Sequence, residues 1–149
     1  MNRIVNDKKT GIMETIEVKI AWSNRNYSAS LGDNVPGAVV FTATTFAQLQ
    51  KTARESLEFH LQGMLEDGDV IPEWLLDGEY EFRYNCVDMA TVLHLCEDFA
   101  SLAAISRVSG INRYQLSHYA NGLKKPRPEQ RKRIMDSIHG IGKSLMAVD

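Results

Sequence analysis

Eight lysines and arginines and a single acid, Glu129, fall between Ser101 and Arg133. A stretch so one-sided in charge suits a polyanion. The spacing sharpens that chemistry. Ser106 stands four residues before Gly110, Ile111 follows the glycine at once, and Leu116 comes five residues later. Gly110 supplies, without steric cost, the positive φ that a tight turn between two helices requires. Ile111 and Leu116 pin the turn and the second helix into a core, and Ser106 is small enough where the helices approach. Asn112 is placed to cap the second helix, which sets its positive end beside phosphates. On its outer side Arg113 can bond bidentately to guanine O6 and N7, and Gln115 to adenine N6 and N7. Tyr114, Ser117 and His118 lie on or near the same face. Lys124, Lys125 and Arg127 follow the helix and suit phosphates, which fix register without reading sequence. Tyr119 is expected in the core and the run Arg131-Lys132-Arg133 on a solvated face.

The elements that position these residues are helical from Asp88 onward. Met89, Val92, Leu93, Cys96 and Phe99 form one amphipathic helix with Asp88 at its N-cap. Further helices are expected over 102–108, 112–119 and 129 to about 148, the last with a buried stripe of Ile134, Ile138, Ile141, Leu145 and Val148. Pro128 suits its first turn. The first half differs. Ile16, Val18 and Ile20 alternate with Glu17 and Lys19, the pattern of a half-buried strand, and a turn at 23–26 leads to a second strand over 27–31. A breaker-rich loop, 32–37, precedes a third strand over 38–43. Thr44 or Thr45 then caps a helix from about Phe46 to Leu65, with Phe46, Leu49, Ala53, Leu57, Leu61, Met64 and Leu65 on its sheet side. Residues 79–84 alternate strictly as a fourth strand. The expected class is α+β: a β-β-β-α-β domain over 14–87, an all-α domain over 88–149, and a disordered leader over 1–13, with Met13 as a second candidate start.

Charge divides along the same line. Residues 1–87 hold 8 basic and 13 acidic side chains, a net of −5, whereas 88–149 hold 9 and 6, a net of +3. Two surfaces with different partners are implied, a polyanion for the second and a cationic protein for the first. No apolar run approaches the ~20 residues that span a bilayer, and the N-terminus has no apolar core of a secretory signal, so no membrane partner and a cytoplasmic location are expected. Cys86 and Cys96 are expected as small buried residues, without a disulfide.

The hairpin, the loop ending Pro36-Gly37, the threonine-capped helix with Ala53-Arg54-Glu55-Ser56-Leu57, and the segment Leu65-Glu66-Asp67-Gly68-Asp69-Val70-Ile71-Pro72 resemble the HicB antitoxin family over residues 17–84. The resemblance implies a degenerate ribonuclease-H-like N-terminal domain. The second half resembles the phage-repressor, or Xre-type, helix-turn-helix family in Gly110, Ile111, Leu116, Ser117, Tyr119, Gly122 and Pro126. It departs at Ser106, where that family more often has Ala, and at Leu102, where Gln is common. Together the resemblances imply an antitoxin that masks a small basic mRNA-cleaving toxin and represses its own operon by binding double-stranded operator DNA as a homodimer or higher homo-oligomer. The alternative is a stand-alone dimeric transcriptional regulator whose N-terminal domain dimerises or senses a ligand. A third reading, a nuclease, needs convergent carboxylates for two Mg²⁺ ions. The candidates Glu17, Glu79 and Glu81 alternate with apolar residues and are expected to face solvent, with Asp33 in a loop. No enzyme activity, cofactor or metal is therefore expected, and the four histidines (His60, His94, His118, His139) show no ligand spacing.

Overall fold

The computed structural model describes residues 13–149. The expected leader lies, apart from Met13, outside them. The chain is α+β, with a four-stranded mixed sheet and six helices among the described residues. It forms two compact units, one holding the described residues up to Ile20 together with Arg25–Asn85, the other holding Ala21–Asn24 with Cys86–Asp149.

In the first unit, strands β1 (Glu14–Ser23), β2 (Asn26–Leu31), β3 (Val40–Ala43) and β4 (Tyr80–Cys86) lie in the order β3-β2-β1-β4. The antiparallel β2–β3 pair runs in register from Tyr27 opposite Ala43 to Ser30 opposite Val40. The alternation in the sequence is realised as burial. Ile16, Val18, Ile20, Tyr27, Ala29, Phe41 and Ala43 are buried, as are Leu49, Ala53, Leu57 and Leu61 of helix α1 (Phe46–Asp67), which packs on β3. Removing this apolar area from water holds the unit together. Thr45, not Thr44, caps α1, its hydroxyl accepting from Gln48 N–H at 3.1 Å. The helix ends at Gly68 in the left-handed conformation, with the N–H groups of Gly68 and Asp69 closing on Leu65 and Met64 carbonyls. Leu65 does not join the buried stripe; it lies in the last turn, 52% exposed. A four-residue helix, α2 (Glu73–Leu76), buries Leu75 and was not expected. In the 32–37 loop, Gly37 has φ +82°, and a Cβ there would meet the His60 ring at 2.9 Å, so any side chain would be both strained and crowded.

The second unit contains α3 (Met89–Cys96), α4 (Leu102–Ser109), α5 (Arg113–Ala120) and α6 (Pro128–Met146). Asp88 caps α3, its Oδ1 accepting from Thr91 N–H (2.9 Å) and from the Thr91 hydroxyl (2.6 Å). The Thr91 Oγ1 in turn accepts from Trp22 N–H at 3.1 Å, so this buried hydroxyl both donates and accepts. The core is Met89, Val92, Leu93, Cys96, Ile105, Ile111, Leu116, Tyr119 and Ile134.

Two expectations about this core are corrected. Phe99 is not on α3: the helix stops at Cys96, whose carbonyl takes the N–H of both Phe99 and Ala100, and the bend leaves the Phe99 ring 70% exposed. The α6 stripe is buried only at Ile134, with Ile138 and Ile141 half-covered; Leu145 and Val148 are exposed, Val148 beyond the helix end. Helical periodicity identifies a common face, but burial also needs a neighbour along its whole length.

Candidate nucleic-acid interface

The turn between α4 and α5 is tied at every polar corner. Ser101 caps α4 by accepting from Ala104 N–H at 3.1 Å. Gly110, at φ 76°, ends it, and its N–H returns to the Ser106 carbonyl at 2.8 Å. Ile111 N–H donates to Ser109 Oγ (3.1 Å), and the Ser106 hydroxyl donates to the Ile111 carbonyl (2.6 Å). From α6, Arg133 Nη2 donates to the Ser109 carbonyl at 2.7 Å, satisfying an orphan acceptor at the α4 C-terminus. Asn112 then caps α5, its Oδ1 accepting from Tyr114 N–H at 2.7 Å. Beneath this frame Ile105, Ile111, Leu116 and Tyr119 are buried. Ser106 is thus a hydrogen-bonding residue as well as a small one. Ser106→Ala is expected to lower stability by about 1–2 kcal/mol in urea unfolding, because the carbonyl of buried Ile111 loses its partner. An unchanged midpoint would show that this bond adds nothing.

Each residue expected to meet nucleic acid has a definite setting. Asn112, Arg113 and Tyr114 are exposed, Tyr114 to 79%. Lys124, Lys125 and Arg127 are exposed on the segment after α5, and with Gln115, Glu129 and Gln130 they line one depression of about 390 Å³. Gln115, Ser117 and His118 are half-buried. Gln115 Nε2 donates to the Tyr119 hydroxyl at 2.8 Å. That bond orients the amide and leaves its oxygen and its second N–H, the acceptor–donor pair that adenine N6 and N7 require. The Nδ1 of His118 is enclosed without a hydrogen-bond partner among the described residues, so that edge of the ring is not available to a ligand. The run 131–133 is exposed, yet two of its charges are engaged: Lys132 with Asp136 at 2.7 Å, and Arg133 at the turn. Sequence spacing missed both the Gln115–Tyr119 pair, although i to i+4 is helical contact distance, and the Arg133 latch, which joins residues 24 apart.

Elsewhere the titratable groups are dispersed. Among the described residues no three of His, Cys, Asp and Glu are grouped to hold a metal. Asp33 and Glu81 are exposed. Glu17 and Glu79 are half-buried rather than freely solvated: Glu17 Oε2 accepts from Asn85 Nδ2 at 2.6 Å, and Glu79 precedes β4, its carbonyl accepting from Glu14 N–H. Cys86 is half-buried and Cys96 buried, neither in a disulfide. Burial pushes both thiols up to about 11, with Cys96 and Asp88 adding to the rise at Cys86, so at neutral pH neither offers a thiolate nucleophile. No helix among the described residues is long and apolar enough to cross a membrane. No model of a protein family, no curated protein and no solved structure matches this chain.

Proposed function

We propose that the α3–α6 unit is a helix-turn-helix that binds double-stranded operator DNA, and that the whole chain is a HicB-type antitoxin that represses its own operon and masks a small basic mRNA-cleaving toxin. One observation carries the DNA reading. The capped N-terminal end of α5 presents Arg113 and Tyr114 outward, while Gln115 shares a depression with Lys124, Lys125 and Arg127. Base-reading and phosphate-holding groups are thereby supplied by one short segment. The antitoxin reading is supported by the family resemblance over residues 17–84, by a four-stranded sheet with one long helix packed on it, and by the exposed acids Glu55, Glu58, Glu66, Asp67 and Asp69, which suit a cationic partner.

Arg113→Ala should weaken binding by ~1–3 kcal/mol at particular base pairs and relax specificity there, whereas Lys125→Ala should weaken binding to all sequences and lower the salt slope by about one. Selection of sites from random duplexes, followed by titration at several salt concentrations, checks both. Uniform loss across sequences for both variants would defeat the base-reading assignment. For the other half, recovery of the full chain from its native cells should bring a small basic protein in stoichiometric amount. The stand-alone regulator is favoured by an open depression of about 720 Å³ in the sheet unit, lined by Val39, Val40, Phe59 and His60 among others. Recovery with DNA but no such protein would select that reading.

A further inference from the structure

Strand β3 is the outermost strand of the sheet among the described residues, with β2 on its inner side. Leu31 N–H donates to the Val39 carbonyl at 3.0 Å, which marks those two as a hydrogen-bonded pair. Bonded and non-bonded pairs alternate along an antiparallel ladder, so Ser30–Val40 and Ser28–Thr42 are non-bonded. The N–H and C=O of Val40 and Thr42 therefore point away from β2, toward the open edge. Proteins commonly guard such edges with charge or proline. The other outer strand, β4, carries Glu81 and Arg83, whereas Val40-Phe41-Thr42-Ala43 has neither guard.

The depression of about 720 Å³ runs beside this edge. Its second wall is a stripe of α1 from Thr52 through Ser56, Phe59 and Gly63 to Asp67. That stretch rises about 22 Å, roughly the length of six or seven extended residues. His60 fixes the wall, its Nε2 donating to the Pro36 carbonyl at 2.7 Å. Phe59 stands 83% exposed, and a Cβ added at Gly63 would meet nothing within 4 Å. The charges along the depression are Glu55, Asp67 and Asp69, with no Lys or Arg among the described lining residues. Glu55 has an exposed ion pair to Lys51 at 3.8 Å, long enough for a closer cation to replace it. We propose that an extended segment of a partner protein, with Lys or Arg at alternate positions, adds to β3 as a further strand. Strand side chains alternate in direction, so one set faces α1, its stems on Phe59 and its charges at Glu55 and Asp67. Main-chain pairing supplies affinity, and the alternate side chains choose the partner. Assigning the segment to the small basic toxin rests on the antitoxin reading; the open edge does not.

Amide shifts of the full chain, titrated with a synthetic heptapeptide of alternating threonine and arginine, test this. Signals of Val40, Thr42, Phe59 and Gly63 should move, with half-saturation on the order of 100 μM. Only one alternate set of peptide N–H groups faces β3. N-methylation of that set should weaken binding about tenfold, and methylation of the other set should spare it. Gly63→Arg fills the groove and adds a repelling charge, and should weaken binding about tenfold with the circular-dichroism melt retained. Should that variant fail to fold, Val40→Pro removes an outward N–H while leaving the β2 ladder whole, and carries the same expectation. No shifts at millimolar peptide, equal effects of the two methylations, or full binding by the variants overturns the proposal. A small basic protein recovered from native cells as firmly with Gly63→Arg as with the wild type would overturn it and keep the antitoxin reading. Peptide binding that Gly63→Arg and one methylation abolish would uphold the edge even if no such protein were recovered.

Discussion

Leu116→Ala should destabilise the helical unit by ~2–5 kcal/mol, the range for emptying a well-packed leucine site. Leu116 is fully buried, and its cluster includes Ile105, Ile111, Tyr119 and Ile134, which come from α4, the turn, α5 and α6. No single element can relax into the space without dragging another, so the cavity persists and the loss belongs at the upper end. Urea unfolding followed through the helical signal should show a lower midpoint with an unchanged slope. A loss below about 1 kcal/mol, nearer the effect of a surface change, would mean that α5 is not anchored by this residue. Leu123→Ala, at a position 71% exposed, is the matched control and should change little.

Gly110→Val should destabilise the same unit by about 3 kcal/mol, because a β-branched residue is forced to φ 76°. Crowding adds to the strain. A Cβ at Gly110 would lie 3.2 Å from Arg133 Nη2, the nitrogen that holds the Ser109 carbonyl. Gly110→Ala, which keeps the crowding but lacks the branch, should lose only ~1–2 kcal/mol. Asn tolerates left-handed backbone better than other residues, so Gly110→Asn should lie closest to the wild type. Unfolding midpoints for the three variants check the order, and in the operator-binding reading DNA affinity should fall in the same order, because the turn sets where α5 points. Three equal midpoints would show that left-handed backbone is not what the position demands.

The features legible in the sequence are those that depend on near neighbours. The alternation of Ile16, Val18 and Ile20 needs only a sheet with one covered face. The caps at Asp88 and Asn112 need only a side-chain oxygen two or three residues ahead of an N–H, and both bonds are present. Gly110 takes the left-handed turn for the same local reason. The failures have the opposite character. Phe99, Leu65 and Leu145 obey helical spacing, but whether such a residue is buried depends on where the helix ends or how far its neighbour reaches. The α2 helix buries Leu75 in four residues, too few for any period to emerge. At the candidate interface the exposed Arg113 and Lys125 were legible from residue type. Gln115, Lys132 and Arg133 read as free polar groups in the sequence, and each is committed to a partner that packing brings within reach.

The hydrogen bonds that close the turn also bear on the speed of recognition. Ser106, Ser109, Asn112 and Arg133 hold the α4–α5 corner before any ligand arrives. Ordering even four loose residues on contact would oppose binding by roughly 1–2 kcal/mol each in backbone entropy. A corner already set spares the encounter that penalty and needs no folding step after collision. In the operator-binding reading, association then becomes the docking of a rigid body, its rate governed by diffusion and by the pull of Lys124, Lys125 and Arg127 on the phosphates.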